Sequence, residues 1–174
     1  MATADDHCQQ AIEVLNVLLG DIIVGLKSLE LFSQIDDKLI TAKKPLSNHM
    51  RGALVRLSNN HLLLALAKWI EFYKRYKNII PSQFQTAAKK LCNELEARGV
   101  RNYRNKVAGH IWDDALGRPL SSEEAYKRLL KIIGSDEDVF NRWILDPTAA
   151  DKTNHIVGLT EAIRDGLKTK TKQI

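Results

Sequence analysis

The fold of this chain is decided by one long amphipathic stretch, AIEVLNVLLGDIIVGLKSL, which runs from Ala11 to Leu29. Its large apolar residues recur at steps of three and four, and they are Ile12, Leu15, Leu19, Ile22, Leu26 and Leu29. This spacing places all six on one face of an α-helix. Gly20 and Gly25 either weaken that helix or let a neighbouring element approach closely. The stretch therefore predicts a long helix with one face in a core, ended by Lys43-Lys44-Pro45.

The middle of the chain continues the helical pattern. A second helix is predicted over about 46–78, with apolar residues on more than one side, as is typical of a buried central helix. Ser82 and Gln85 have the spacing of a capping box and predict the start of a third helix. Gly99 predicts its end.

The C-terminal half predicts shorter helices. The first of them covers 100–112, the next begins at a capping box formed by Ser121 and Glu124, and two more follow. Residues 168–174 are expected to form a frayed basic tail. No segment alternates apolar and polar residues as a strand does. We therefore predict one all-α domain over 1–174, an antiparallel helical bundle with additional short C-terminal helices.

Composition excludes several other classes of protein. The chain has 174 residues, of which 44% are hydrophobic and 27% charged, as in ordinary globular domains. No run of 18 apolar residues predicts a membrane span, and the N-terminus does not resemble a secretory signal. Cys8 and Cys92 lie far apart and form no Cys-x-x-Cys pair. These features predict a cytoplasmic protein with reduced thiols and no disulfide framework.

Charge is distributed unevenly along the chain. Residues 1–37 carry a net charge of −6, residues 38–131 carry +12, and residues 132–174 carry −1. A positive middle is what a phosphate-binding surface needs, since neutralising phosphates drives affinity for nucleic acid. A solvated basic face remains the alternative interpretation.

The segment Arg104-Asn-Lys-Val-Ala-Gly-His110 is the one most suited to chemistry. On an α-helical wheel, its apolar stripe contains Val107, and Arg104 and His110 fall on opposite shoulders of that stripe, about 9 Å apart along the axis. This geometry is too open for a dyad within one chain. Two copies across a twofold axis would instead gather two arginines and two histidines around one cleft.

These residue types suit cleavage of RNA without a metal ion. His110 can take a proton from a ribose 2′-hydroxyl or give one to the leaving oxygen, since histidine titrates near neutral pH. Arg104 can hold the phosphate through two parallel hydrogen bonds, and Asn105 can orient either group. Arg101 and Lys106 are further candidates for phosphate contacts.

No metal centre or cofactor is predicted to compete for this role. The remaining histidines show no spacing typical of metal ligands, and they are His7, His49, His61 and His155. We therefore expect the chemistry to depend on protein side chains alone.

The segment from Arg104 to His110 resembles the Arg-polar-x(3–5)-His motif of the HEPN superfamily of small all-α proteins. Residues 61–110 also resemble the abortive-infection members of that group. The resemblance implies a homodimer that cleaves RNA without metal and leaves a cyclic phosphate. It assigns the phosphate contact to Arg104, the polar position to Asn105 and the catalytic histidine to His110. A toxin or phage-defence role, with an antitoxin protein as a further partner, belongs to the same hypothesis.

Two alternatives remain open. The first is a non-catalytic module that binds a nucleotide, RNA or a protein through the same residues. The second is a helical adaptor that works through an apolar surface around Leu19 or Leu26. The pattern Arg-x(4–6)-His occurs a second time, at Arg56 and His61, but an apolar leucine follows that arginine. We interpret His61 as a histidine of the core or of the helix surface.

Overall fold

The computed structural model describes residues 4–108, 112–113 and 117–171, and this part of the chain forms a helical bundle. The helices are α1 (Ala4–Thr41), α2 (Asn48–Tyr76), α3 (Ser82–Arg98), α4 (Val100–Tyr103), α5 (Ser122–Ile133), α6 (Glu137–Ile144) and α7 (Ile156–Thr171). The prediction of an all-α fold is confirmed. A two-residue antiparallel pair, β1 (Trp112–Asp113) with β2 (Arg118–Pro119), joins Trp112 to Pro119.

The core lies where α1, α2 and α7 meet, with α3 packed against α2 and α7. The stripe predicted on α1 faces this core: five of its six residues are buried, and Leu29 is half-buried. Trp69 of α2 is fully buried, and its Nε1 donates to Oγ1 of Thr160 in α7 over 2.9 Å. Leu19 and Leu26 are core residues, so they offer no surface to a partner. This result corrects the adaptor hypothesis at those two positions.

The first two helices form a close antiparallel hairpin. Ion pairs join Asp21 to Lys68 and Asp36 to Arg51, each over 2.8 Å. Gly25 faces Leu62 so closely that a Cβ at residue 25 would lie 2.9 Å from the Leu62 Cα. Gly25 therefore permits the close approach of two helices.

Local capping explains several helix ends. The Ser47 side chain accepts a hydrogen bond from the backbone N–H of Met50 at the start of α2. The capping box of Ser121 and Glu124 is present at the start of α5, as predicted. Gly99 takes the left-handed conformation, with φ of 85°, at the end of α3.

Two local predictions were wrong. Ser82 lies within α3, and Gln85 donates instead to the backbone carbonyl of Ile80 over 3.0 Å, so no capping box forms. The helix expected over 100–112 ends at Tyr103 and gives way to a π-helical turn. Helix α7 includes the first part of the predicted basic tail, as far as Thr171, and residues 172–174 lie outside the described residues, so fraying of 168–174 stays a prediction.

None of the helices in the described part of the chain combines the length and the apolar character that a membrane span needs.

Candidate functional site

The candidate segment is anchored to α2 by one tyrosine. Gly99 separates α3 from α4 and turns the chain, and Val100 and Tyr103 of α4 are then buried. The Tyr103 hydroxyl donates to Oδ1 of Asn60 in α2 over 3.1 Å. Burial raises the pKa of this phenol, so it stays protonated and keeps its role as donor. Tyr103 therefore fixes the position at which the next residue, Arg104, leaves the core.

A π-helical turn spans Arg104–Ala108, directly after that anchor. Such turns are rare, and they occur frequently at functional sites because they re-aim side chains within a helix. The wheel that placed Arg104 and His110 on opposite shoulders assumed an α-helix throughout. The turn changes the angle per residue, so the separation derived from that wheel does not hold for this segment.

Arg104 is held by two oxygen acceptors. Its Nη1 donates to the carboxylate of Glu71 in α2, and its Nε donates to Oδ1 of Asn105 over 3.0 Å. The Arg104 side chain is 31% exposed and that of Glu71 is 60% exposed. The guanidinium therefore already binds an anionic oxygen at the protein surface, where a phosphate could replace the carboxylate.

The other predicted contact residues lie around this arginine. Arg101 and Asn105 are exposed and line a shallow cavity of about 350 Å³ with Asn102, Glu96 and Gly99. Lys106 is half-buried in the same turn. Arg101, Arg104 and Asn105 are thus brought together at one surface.

His110 lies outside the described residues, so its distance to Arg104 is not part of this geometry. The other predicted residues of the site are described. The arrangement consists of a positioned guanidinium, its asparagine neighbour and a nearby exposed arginine.

The repeated spacing at Arg56 and His61 has a different environment. Both residues belong to the unbroken helix α2. Arg56 is exposed, whereas His61 is half-buried, and its buried Nε2 has no hydrogen-bond partner among the described residues. The interpretation of His61 as a histidine between core and surface agrees with this placement.

Glu71 is the contact residue that sequence reasoning missed. It lies 33 residues before Arg104, and it is the one acidic residue of α2. An isolated glutamate in a basic helix was its only signal, and that signal does not indicate a partner so distant in sequence.

No metal site is built by the described residues, among which no group of three or more histidine, cysteine or acidic side chains could hold an ion.

Comparison with known proteins identifies a fold. The chain is similar to a solved structure from the mobile metagenome of V. paracholerae, the integron cassette protein Vpc_cass2. The two chains share 22% identity with a TM-score of 0.77, over 97% of this chain and 99% of the other. No protein-family model matches the sequence, and neither does a curated protein. The likeness shows that the helical bundle occurs as a whole in a second protein.

Proposed function

We propose that the chain is a metal-independent endoribonuclease that acts as a homodimer. The observation that carries this proposal is the π turn beginning at Arg104, whose guanidinium is half-exposed and already holds a carboxylate. A guanidinium that binds a carboxylate at a surface can also bind a phosphate. The two non-bridging oxygens of a phosphodiester can accept hydrogen bonds from the planar guanidinium of Arg104. The HEPN resemblance of the segment supports the same assignment.

The reaction assigns one role to each residue. His110 takes the proton of a ribose 2′-hydroxyl, and the 2′-oxygen then forms a bond to the adjacent phosphorus. The bond from phosphorus to the 5′-oxygen breaks, and that oxygen receives a proton from an acid or from water. The products are a 2′,3′-cyclic phosphate and a free 5′-hydroxyl. Arg104 stabilises the charge that builds on the phosphoryl oxygens, and Asn105 keeps the guanidinium in place.

The biological role proposed with this chemistry is that of a toxin or phage-defence effector, with an antitoxin protein as a further partner. Its support is the resemblance to abortive-infection proteins.

The direct test is cleavage of RNA by the purified chain in the presence of EDTA. We expect His110→Ala to lower the rate by a factor of about 10² to 10⁴, the usual contribution of a positioned acid–base group. Arg104→Ala should lower it by a factor of about 10² to 10³, the usual contribution of a positioned donor to the developing charge. The chain offers a matched control, because Arg56→Ala and His61→Ala remove the same residue types at nearly the same spacing. These two variants should retain wild-type cleavage.

The substrate gives a second control. An oligonucleotide with 2′-deoxyribose at the cleaved position lacks the attacking hydroxyl and should stay intact. Equal cleavage by all four variants, or cleavage of the deoxy substrate, would mean that a contaminating nuclease acts and that the proposal is wrong.

A non-catalytic binding module is the second candidate. The pairing of Arg104 with Glu71 favours it, because an arginine held by an ion pair often serves binding or structure alone. This candidate predicts saturable RNA binding that Arg104→Ala abolishes, with no product under any condition.

A further inference from the structure

The α1–α2 hairpin exposes a regular apolar stripe on its outer side. On α1 the stripe follows Val17, Val24 and Leu31, which are spaced seven residues apart and are 57–60% exposed. On α2 it follows Met50 and Leu57, which are 51% and 67% exposed and share the same spacing. Nine of the twelve exposed large apolar side chains in the described ranges lie on these two helices. A seven-residue apolar repeat is the pattern with which helices pack side by side.

Both stripes face the same side of the hairpin. A groove of about 430 Å³ lies at the end of the hairpin nearest the core, where α1 begins and α2 ends. Val14 and Val17 line it from α1, and Lys68 and Glu71 line it from α2. Glu71 and Lys68 continue the α2 stripe at the spacing set by Leu57. The hairpin therefore presents one continuous face, which is apolar towards its tip.

Among the described residues, no other element covers the tip of the hairpin. No residue between positions 27 and 57 is buried, although this stretch contains Leu31, Phe32, Ile35, Leu54 and Leu57. A pair of helices buries an apolar side only when another layer lies on it. The exposed face is about 30 Å long and about 20 Å wide, judged from helix rise and diameter. That is a flat area of about 600 Å², and it approaches the roughly 800 Å² of accessible surface that each partner contributes to a standard protein interface.

The charges of the two helices indicate which partner fits. Helix α1 carries seven acidic and two basic residues, whereas α2 carries five basic and one acidic. These counts are taken around each whole helix and give α1 a net charge of −5 and α2 a net charge of +4. A hairpin with one acidic and one basic helix is complementary to itself after a twofold rotation about the hairpin. When the axis runs along the hairpin, α1 of one copy covers α2 of the other, and acid faces base. When the axis runs across the hairpin, α1 covers α1, and acid faces acid.

We infer that this face seats a second copy of the chain, with the twofold axis along the hairpin, so that two hairpins form a four-helix bundle. The inference deepens the proposed function, which it supplies with a dimer interface, but the interface itself does not depend on RNA cleavage. Glu71 continues the α2 stripe, so Arg104 flanks the interface. The two copies of Arg104 then lie at the same level on opposite flanks, as two separate sites rather than one shared cleft.

Oligomeric state tests the interface without RNA. Leu31 and Leu57 lie at the same level of the hairpin, between the pairs Asp21–Lys68 and Asp36–Arg51. Sedimentation should show the full wild-type chain as a dimer. Leu31→Glu and Leu57→Lys should each raise the dimer dissociation constant by about tenfold or more, since each puts an unpaired charge in an apolar interface. Leu130→Glu, at an exposed leucine of α5, should leave the dimer unchanged.

An equimolar mixture tests the direction of the axis. With the axis along the hairpin, Glu at position 31 of one chain meets Lys at position 57 of the other, so mixing the two variants restores a dimer. Mixing Leu31→Glu with Leu57→Glu gives no such pair and should leave both monomeric. Circular dichroism checks that each variant keeps its helices.

Three results would overturn the inference: a wild-type monomer, a dimer indifferent to both single changes, or a Glu–Lys mixture that stays monomeric. A dimer that cuts no RNA would remove the proposed function and leave the interface. Cleavage by a wild-type monomer would remove the interface and the homodimer of the proposed function, and it would leave the cleavage chemistry.

Discussion

The side chain of Arg104 carries the functional hypothesis, and its surroundings refine that hypothesis. The guanidinium is neither free in solvent nor locked in the core: it is held by Glu71 and Asn105 at the surface. Glu71 therefore occupies the place that a phosphate would take. Under the proposed function, binding of RNA requires the phosphate to replace the carboxylate of Glu71 at this guanidinium.

Replacing Glu71 with glutamine should strengthen RNA binding. An exposed ion pair of this kind contributes less than about 1 kcal/mol, so we expect little change in folding and a gain in affinity of at most about fivefold. Fluorescence anisotropy with a labelled RNA that carries 2′-deoxyribose at the cleaved position measures the change. Glu137→Gln removes a similar exposed charge from α6 and is the control. An equal gain in both variants would show an effect of net charge alone.

A second residue, Glu124, links the start of α5 to pH. Hydrogen bonds from the Arg118 side chain, and then from Ser121, lower the pKa of its carboxyl to about 2, against 4.5 for an ordinary glutamate. A group whose pKa is depressed on folding stabilises the fold above its ordinary pKa, and this stabilisation is lost as the pH falls towards the lower value. Glu124→Gln should therefore lower the Tm at pH 7 and have progressively less effect between pH 4.5 and pH 2.

Thermal unfolding at several pH values measures how the difference in Tm between Glu124→Gln and the wild type shrinks as the pH falls. Glu123→Gln is the neighbouring control. A constant difference between Glu124→Gln and the wild type over the whole range would contradict the role of this carboxylate.

Capping shows what a short sequence pattern can and cannot predict. The pattern at Ser121 and Glu124 was read correctly because Ser121 has extended backbone angles and accepts from the Glu124 N–H. The same pattern at Ser82 and Gln85 failed because the helix begins at Ser82 itself. A shift of one residue in the helix start decides the outcome, and the local sequence does not specify that shift.

Among the elements, α1 was predicted well and α4 was predicted poorly. A long apolar period specifies a helix and its buried face, and α1 follows that period from Ile12 to Leu29. The π turn at Arg104–Ala108 differs from an α-helix by its hydrogen-bond pattern and has no comparable period in the sequence. Its position depends on how Tyr103 and Arg104 meet α2, which are contacts between distant residues.

The two glycines of α1 should respond in opposite ways to substitution by alanine. Gly20 is exposed, and an added Cβ would have no atom within 4 Å, so Gly20→Ala should stabilise the fold by up to about 1 kcal/mol through helix propensity. Gly25→Ala would press a methyl group against the Leu62 backbone and should cost about 1–3 kcal/mol. Urea unfolding followed by circular dichroism measures both. Stabilisation by both substitutions would mean that the helices of the hairpin can separate without cost.

For the whole molecule, the fold class followed from the sequence, whereas the arrangement of its helices did not. Apolar periodicity identifies which side of each helix is buried, but it does not identify the helix that covers it. The hydrogen bond from Trp69 to Thr160 spans 91 residues, and the bond from Arg104 to Glu71 spans 33. Contacts of this kind determine the environment of the site. The sequence therefore predicted which residues form the candidate site, but it did not predict which residues contact them.

The uncovered tip of the hairpin has a consequence for how the molecule opens. A stretch in which no residue is buried can unfold locally at low free energy while the rest of the fold stays intact. In the monomeric chain, for which the Leu31→Glu variant is the test sample, backbone amides between positions 27 and 57 should therefore exchange with deuterium orders of magnitude faster than those around Trp69, and the wild-type dimer should slow that exchange. Proteases should nick the chain first near 42–47, where α1 gives way to α2. Uniform exchange throughout both helices would instead mean that the hairpin opens only when the entire chain does.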